Sequence, residues 1–110
     1  MLPSQRLEKL NTIENLWIYI LIILNSRNKK HPIYAWEIPA LIEKFFGFKT
    51  GKITPYRVLY RLESQDLVKS EYHERKRFYQ ITETGKKELE AAESFYKKIL
   101  LSFDKQIGNG

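Results

Sequence analysis

Nine consecutive apolar residues, Leu16-Trp17-Ile18-Tyr19-Ile20-Leu21-Ile22-Ile23-Leu24, set the first limit on what this chain can become. The run is about half of the ~20 residues a helix needs to cross a bilayer, so it reads as a buried helix and not as a membrane span. Leu7, Leu10 and Ile13 lead into Leu16, Trp17, Ile20 and Leu24 at spacings of three and four, which predicts one helix over residues 4–25 with Ser4 as N-cap and 25–28 as breaker. The second half of that helix is apolar on every side and must be covered on every side. In a chain of 110 residues the expected cover is a partner subunit.

That length, with 43% apolar residues, suffices for one modest core and leaves no room for a second domain. A single domain over 1–107 is expected, with a frayed tail at 108–110. The absence of cysteine excludes disulfides, thiolate nucleophiles and cysteine-based metal sites, and suits a reducing cytoplasm, the expected location. Glu8 and Glu14 lie upstream of the apolar run and no small-residue cleavage pattern follows it, so a secretory signal is not expected.

Charge is unevenly placed. Residues 1–26 carry two bases and two acids, and residues 78–110 carry five of each. The whole formal excess of +6 therefore lies in residues 27–77, where twelve Lys/Arg face six Asp/Glu. A basic centre between neutral flanks is the pattern of a footprint for a polyanion, although a generally solvated basic surface would give the same count.

Beyond the first helix, Lys29-Lys30-His31-Pro32-Ile33 reads as a basic turn with one extended pair of residues, because Pro32 disfavours helical geometry at His31. A second helix is predicted over 34–46 from Trp36, Ile38, Leu41, Ile42 and Phe45, with Gly47 as its C-cap. A loop over 48–53 precedes a third helix, with Thr54 as N-cap and Pro55 at the first helical position, running to residue 65. Two strands over 68–73 and 77–82, joined by Glu74-Arg75-Lys76, read as a hairpin. A fourth helix over 83–103, capped by Thr82, carries Leu89, Ala92, Tyr96, Ile99 and Phe103 at coiled-coil spacing. This order predicts a mainly α, α+β winged helix: a helix-turn-helix with a two-stranded wing, a winged core over about 28–82, and dimerisation helices at about 4–25 and 83–103.

On the third helix Val58, Leu59 and Leu62 gather on the side that must face a core. Arg57, Tyr60, Arg61 and Ser64 are left opposite, with Tyr56 at the edge, and no acid lies among them. Guanidinium groups pair bidentately with guanine or phosphate, and phenols reach phosphate or a thymine methyl, so this face is the candidate reader of double-stranded DNA. Lys49, Thr50 and Lys52, before the helix, and Thr54, at its start, are placed where helix amides favour phosphate oxygens. The wing tip adds Arg75, Lys76 and Arg77 for backbone or minor groove. Leu16, Trp17, Ile20, Leu89, Ala92, Tyr96, Ile99 and Phe103 are the expected dimer contacts, and Trp17, Phe95 and Tyr96 could line an aromatic ligand slot or simply pack. His31 and His73 have no ligand neighbours at metal spacing, and no nucleophile elbow or phosphate loop occurs; neither a metal, a cofactor nor catalysis is expected.

Three blocks carry a family resemblance. Thr54-Pro55-Tyr56-Arg57-Val58-Leu59-Tyr60-Arg61-Leu62-Glu63 with Leu67-Val68 resembles the recognition-helix block of PadR-type transcriptional regulators. Arg77-Phe78-Tyr79-Gln80-Ile81-Thr82-Glu83-Thr84-Gly85-Lys86 is similar to their strand-to-helix block, and Tyr34-Ala35-Trp36-Glu37-Ile38 to the segment that opens their second helix. Asp66 stands where the family usually has glycine, and Ile33 where another glycine is usual. The resemblance implies a homodimer with intertwined first and last helices, one recognition helix and wing per subunit on DNA, repression of nearby genes, and in some members a small-molecule effector at the dimer interface. MarR and ArsR types share the element order. On the residues alone, a winged-helix protein-interaction module and a nucleoid-type binder without sequence choice stay open.

Overall fold

Asn11 and Thr12 divide what the apolar spacing predicts as one long helix. In the computed structural model, which describes residues 1–27 and 31–105, helix α1 spans Pro3–Leu10, a 3-10 turn spans Ile13–Asn15, and α2 spans Leu16–Asn25. Asn11 Nδ2 donates to the Leu7 carbonyl at 2.8 Å, Thr12 Oγ1 to that of Glu8 at 2.8 Å, and Asn15 Nδ2 to that of Leu10 at 2.7 Å. The Leu7 and Glu8 carbonyls also accept from the Asn11 amide, at 3.1 and 3.2 Å, so these side chains supplement the backbone pairing where the helix ends. The break is anchored from two sides: the Tyr19 hydroxyl donates to the Asn11 carbonyl, and that of Tyr96 to Asn11 Oδ1 at 2.8 Å. At the N-terminus the helix begins at Pro3, with Leu2 and not Ser4 as the cap residue.

The all-apolar run is covered chiefly by its own chain, which corrects the expectation of a partner. Helix α2 packs against α3 (Ile38–Phe46), α4 (Thr54–Ser64), α5 (Glu83–Ser102) and strand β3 (Lys76–Ile81). Leu16, Ile20, Leu21, Ile23 and Leu24 are all buried there. Leu16 and Ile20, predicted as dimer contacts, are 2% and 0% exposed and belong to the subunit core. Ile22 is left exposed and Ile18 half-buried.

Ile33–Tyr34 form β1, and it pairs antiparallel with β3, so the wing belongs to a three-stranded sheet of order β1-β3-β2 and not to an isolated hairpin. Strand β2 (Val68–His73) pairs with β3 from Val68↔Ile81 to His73↔Lys76. Lys76 therefore lies in the ladder, and the link is the two residues Glu74 and Arg75, both with left-handed backbone, φ 51° and 67°. Thr82, predicted as the end of the strand, lies outside it and caps α5, its Oγ1 accepting from the Gly85 amide at 3.0 Å.

Helix α3 follows a 3-10 turn over Ala35–Glu37 and ends on Gly47, whose φ of 77° closes the helix in a left-handed cap. The cap residue of α4 is Ile53, not Thr54: the Ile53 carbonyl accepts from Tyr56 and Arg57, which makes Thr54 already helical. Asp66, after α4, takes a φ of 62°, a conformation that aspartate tolerates better than most residues. The Cα radius of gyration is 16.2 Å, against about 13 Å for a compact chain of this length. Helix α1 and the distal half of α5, with the residues that flank them, leave Leu2, Leu7, Phe95, Leu100, Leu101 and Phe103 exposed. The predicted turn residues Lys29 and Lys30 and the tail at 108–110 lie outside the described residues.

Candidate nucleic-acid interface

Helix α4 anchors on Pro55, Leu59 and Leu62, all buried, with Val58 half-buried beside them. An 11-residue helix held along that stripe presents the opposite stripe to solvent. Arg57, Tyr60, Arg61 and Ser64 are exposed there, with Tyr56 beside them. The two arginines lean to one flank, where they share a cleft of about 450 Å³ with Glu14, Trp17, Gln65 and Glu88. Tyr60 leans to the other flank, toward the wing. Ser64 Oγ donates back to the Arg61 carbonyl at 2.7 Å, so its proton is engaged within the helix.

Lys49 and Lys52 are exposed in the loop that enters α4, and Thr54 is half-buried. Thr50 departs from the sequence expectation. It is 7% exposed and its hydroxyl donates to the Gly51 carbonyl at 2.9 Å, so it shapes the loop and presents nothing to a phosphate. The left-handed φ of 75° at Gly51 permits that tight local bond.

At the wing, Arg75 and Lys76 are exposed at the tip, and Lys76 Nζ lies 6.0 Å from the Tyr34 ring centroid on the outer face of the sheet. Arg77 is turned the other way. Its Nη2 donates to Glu63 Oε1 of α4 at 2.6 Å, and its Nε donates to Ser70 Oγ of β2 at 3.0 Å. Ser70 Oγ in turn donates to Glu63 Oε2 at 2.5 Å. The guanidinium carbon lies 5.6, 5.9 and 5.3 Å from the ring centroids of Tyr60, Tyr72 and Tyr79. Burial lowers the pKa of this guanidinium, but Tyr79, Glu63 and the other two phenols outweigh it and hold the group above its ordinary value. Arg77, predicted as a free contact for DNA, is thus committed within the protein.

That cluster settles a geometric point. Tyr60 of α4 and Tyr72 of β2 flank one guanidinium, so the outer edge of α4 and the inner face of the wing form one continuous surface. Two exposed side chains on it escape the sequence reading. Ile53, at the entry of α4, is 67% exposed, and Tyr72 is 72% exposed. Tyr72 could have been found from strand periodicity, since it pairs across the ladder with Arg77 and shares a face with Ser70 and Val68. Ile53 carries no such signal, because an apolar residue in a loop is ordinarily half-hidden.

The predicted dimer contacts other than Leu16 and Ile20 remain reachable. Trp17, Leu89, Ala92 and Tyr96 are half-buried, Ile99 is exposed, and Phe103, just past the end of α5, is 80% exposed. Ile18, Ile22, Leu89, Ala92, Tyr96 and Leu100 line a groove of about 480 Å³ between α2 and α5. An adjoining cleft of about 340 Å³ brings Trp17, Phe95 and Tyr96 together, with the last two rings edge-to-face at 5.9 Å. Among the described residues no group of three His, Cys, Asp or Glu could hold a metal ion, and no helix is long and apolar enough to cross a membrane.

No curated protein matches the sequence. Residues 20–91 match the family model for the transcriptional regulator PadR-like family. Among solved structures, a PadR family transcription regulator from Clostridium difficile is 30% identical, the match covering 79% of this chain and 95% of that one with a TM-score of 0.64. A PadR family transcriptional regulator from Eggerthella lenta is 22% identical over 97% of this chain and 92% of its own, with a TM-score of 0.73. A mutant of S. aureus MepR bound to an oligodeoxyribonucleotide shares the fold, at 19% identity over 96% of this chain and 72% of that one and a TM-score of 0.67. With the family model covering residues 20–91, well over half of its length, the chain belongs to the PadR-like family of transcriptional regulators.

Proposed function

We propose that the protein binds double-stranded DNA with sequence preference as a homodimer and represses the genes whose promoters it occupies. The observation that carries this reading is the outer face of α4, where Arg57, Tyr60 and Arg61 are exposed with no acid of that helix among them and Tyr60 meets the wing at Arg77, which Tyr72 also flanks. Arg57 and Arg61 read base edges in the major groove from α4, while Lys49, Lys52, Arg75 and Lys76 take phosphates on either side. Thr54 and Ser64 stay near that contact zone, and the exposed Ile53 adds an apolar tip suited to a thymine methyl. Residues 28–82 are the DNA-binding core of a single domain over 1–107.

The dimer reading rests on the apolar surface that α1 and α5 leave uncovered. Leu89, Ala92, Tyr96, Ile99 and Phe103 of one subunit, with Trp17, would close against the same region of a second copy, as a twofold interface requires. The groove between α2 and α5 is where an effector lodged at that interface would be held. Repression is the outcome that the family resemblance implies, and a dimer seated on a promoter would act by blocking access.

Selection of bound duplexes from a random pool tests the reading. A motif with two half-sites about one helical turn apart is the expected outcome. Affinity for it should fall by about three to five decades between about 50 and 200 mM salt if the dimer neutralises about 6–10 phosphates. A pool that enriches nothing, or binding indifferent to salt, would refute it.

A further inference from the structure

Arg77 stands among the basic residues of the wing, yet its hydrogen bonds run inward to Glu63 of α4 and Ser70 of β2. The three groups form a closed ring of donors and acceptors: Arg77 donates to both, and Ser70 donates to Glu63. The side chains of Arg77 and Glu63 are only 30% and 28% exposed, so the pair is shielded enough to hold its geometry where a fully solvated pair would not. Tyr60 from the helix and Tyr72 from the strand flank the cation, and Tyr79 lies 5.3 Å beneath it. Every bond in the ring that crosses between elements joins α4 to the hairpin or β2 to β3.

We infer that Arg77 is a positioning residue: through Glu63 and Ser70 it fixes the angle between the recognition helix and the wing, so that both reach one duplex together. The inference rests on the DNA-binding reading above. A hairpin attached only at its base would leave its tip to be ordered on binding, and preorganisation of both contact elements removes that cost. Glu63 is the informative member, because it is acidic and lies on the helix proposed to touch DNA. If Arg77 contacted DNA directly, neutralising Glu63 would free the guanidinium and remove a repulsive charge, and binding would tighten. If the ring positions the wing, the same change weakens binding at the wing. The two accounts predict opposite signs.

The test uses the whole protein and the duplex that the wild type selects from a random pool. Glu63→Gln and the charge-neutral Ser70→Ala are compared with wild type. Guanine N7 methylation protection reads the α4 contact, and hydroxyl-radical protection of the flanking sugars reads the wing. We expect both variants to keep the N7 protection, lose the wing protection and bind about tenfold more weakly, a loss in keeping with removing a hydrogen bond to a charged group. In the free variants, amides of β2 and β3 near the tip should exchange faster while those of α2 do not, a readout that stands even if one variant is poorly soluble. Tighter binding by Glu63→Gln with the wing footprint intact would overturn the inference, as would equal loss of both protections. A wild type that enriches no motif refutes the DNA-binding reading itself.

Discussion

Gly85 lies against the backbone of Leu67 so closely that a Cβ placed on it would sit 2.1 Å from the Leu67 carbonyl oxygen and 2.8 Å from Ile81 Cγ1. The same oxygen accepts from the amide of Thr82, the N-cap of α5, at 3.1 Å, so it cannot move aside without losing the bond that holds that cap residue in place. Gly85→Ala should therefore destabilise the domain by about 1–3 kcal/mol, the usual range for overpacking a close contact. Denaturant unfolding checks it; an unchanged midpoint would mean that the first turn of α5 yields more easily than its bonds imply.

Ile53 tests the reading of sequence separately from the grip on phosphate. Replacing thymine by uracil in the selected duplex removes one methyl group and no hydrogen-bonding atom. The wild type should bind the uracil duplex about 3–10-fold more weakly at the half-site position facing Ile53, in line with burial of a methyl-sized apolar group. Ile53→Ala should bind both duplexes alike. Discrimination that survives in the variant would assign the methyl contact to another side chain, with Tyr56 the nearest candidate.

The exposed apolar side of α5 makes a prediction about assembly. Ile99→Asp places a charge where a second copy is proposed to pack, and burying an unpaired carboxylate there is strongly unfavourable. Sedimentation should show monomer, or the protein should become insoluble, while a substitution in the distant wing, Lys76→Ala, leaves the dimer intact. Soluble, fully dimeric Ile99→Asp would remove α5 from the interface.

Alkaline stability follows from two phenols, one buried, Tyr79, and one half-buried, Tyr19. Burial raises the pKa of Tyr79 above 10.0, with Arg77 pulling it back in part, and burial followed by Tyr96 raises that of Tyr19. The folded state thus holds these protons more tightly than the unfolded chain does. Their contribution is complete below pH 10.0 and is lost as pH rises through and beyond that value. Unfolding free energy measured from about pH 8 upward should fall beyond about 10, and Tyr79→Phe should fall less steeply. Equal slopes for the two proteins would contradict the assignment to Tyr79.

The order of elements and the face of α4 are legible in the sequence because both depend on local periodicity. Val58, Leu59 and Leu62 lie on one side of a helix whatever packs there, and the arginines must then lie on the other. The fate of Arg77 is not legible, since Glu63 and Ser70 stand fourteen and seven residues away and only the folded sheet brings them to it. Leu16 and Ile20 show the same limit: an apolar run announces that it will be covered but not by which chain. The break at Asn11 and Thr12 is hidden for a different reason. Asparagine and threonine are tolerated within helices, and it is the long-range bonds from Tyr19 and Tyr96 that fix the interruption. Thr50 is not legible from its neighbours: it lies between two exposed lysines, but its own hydroxyl is used within the loop.

The turn at the tip of the wing places Glu74 and Arg75 in backbone conformations that a two-residue hairpin usually gives to Asn-Gly. Side chains with a Cβ are held there at a cost of about 1–2 kcal/mol each. A chain shaped only for robustness would carry Asn-Gly at this point. If the guanidinium at the apex serves the proposed contact with a polyanion, durability of the hairpin is set against that contact, so variants selected for heat resistance should drift toward Asn-Gly and those selected for tight operator occupancy away from it.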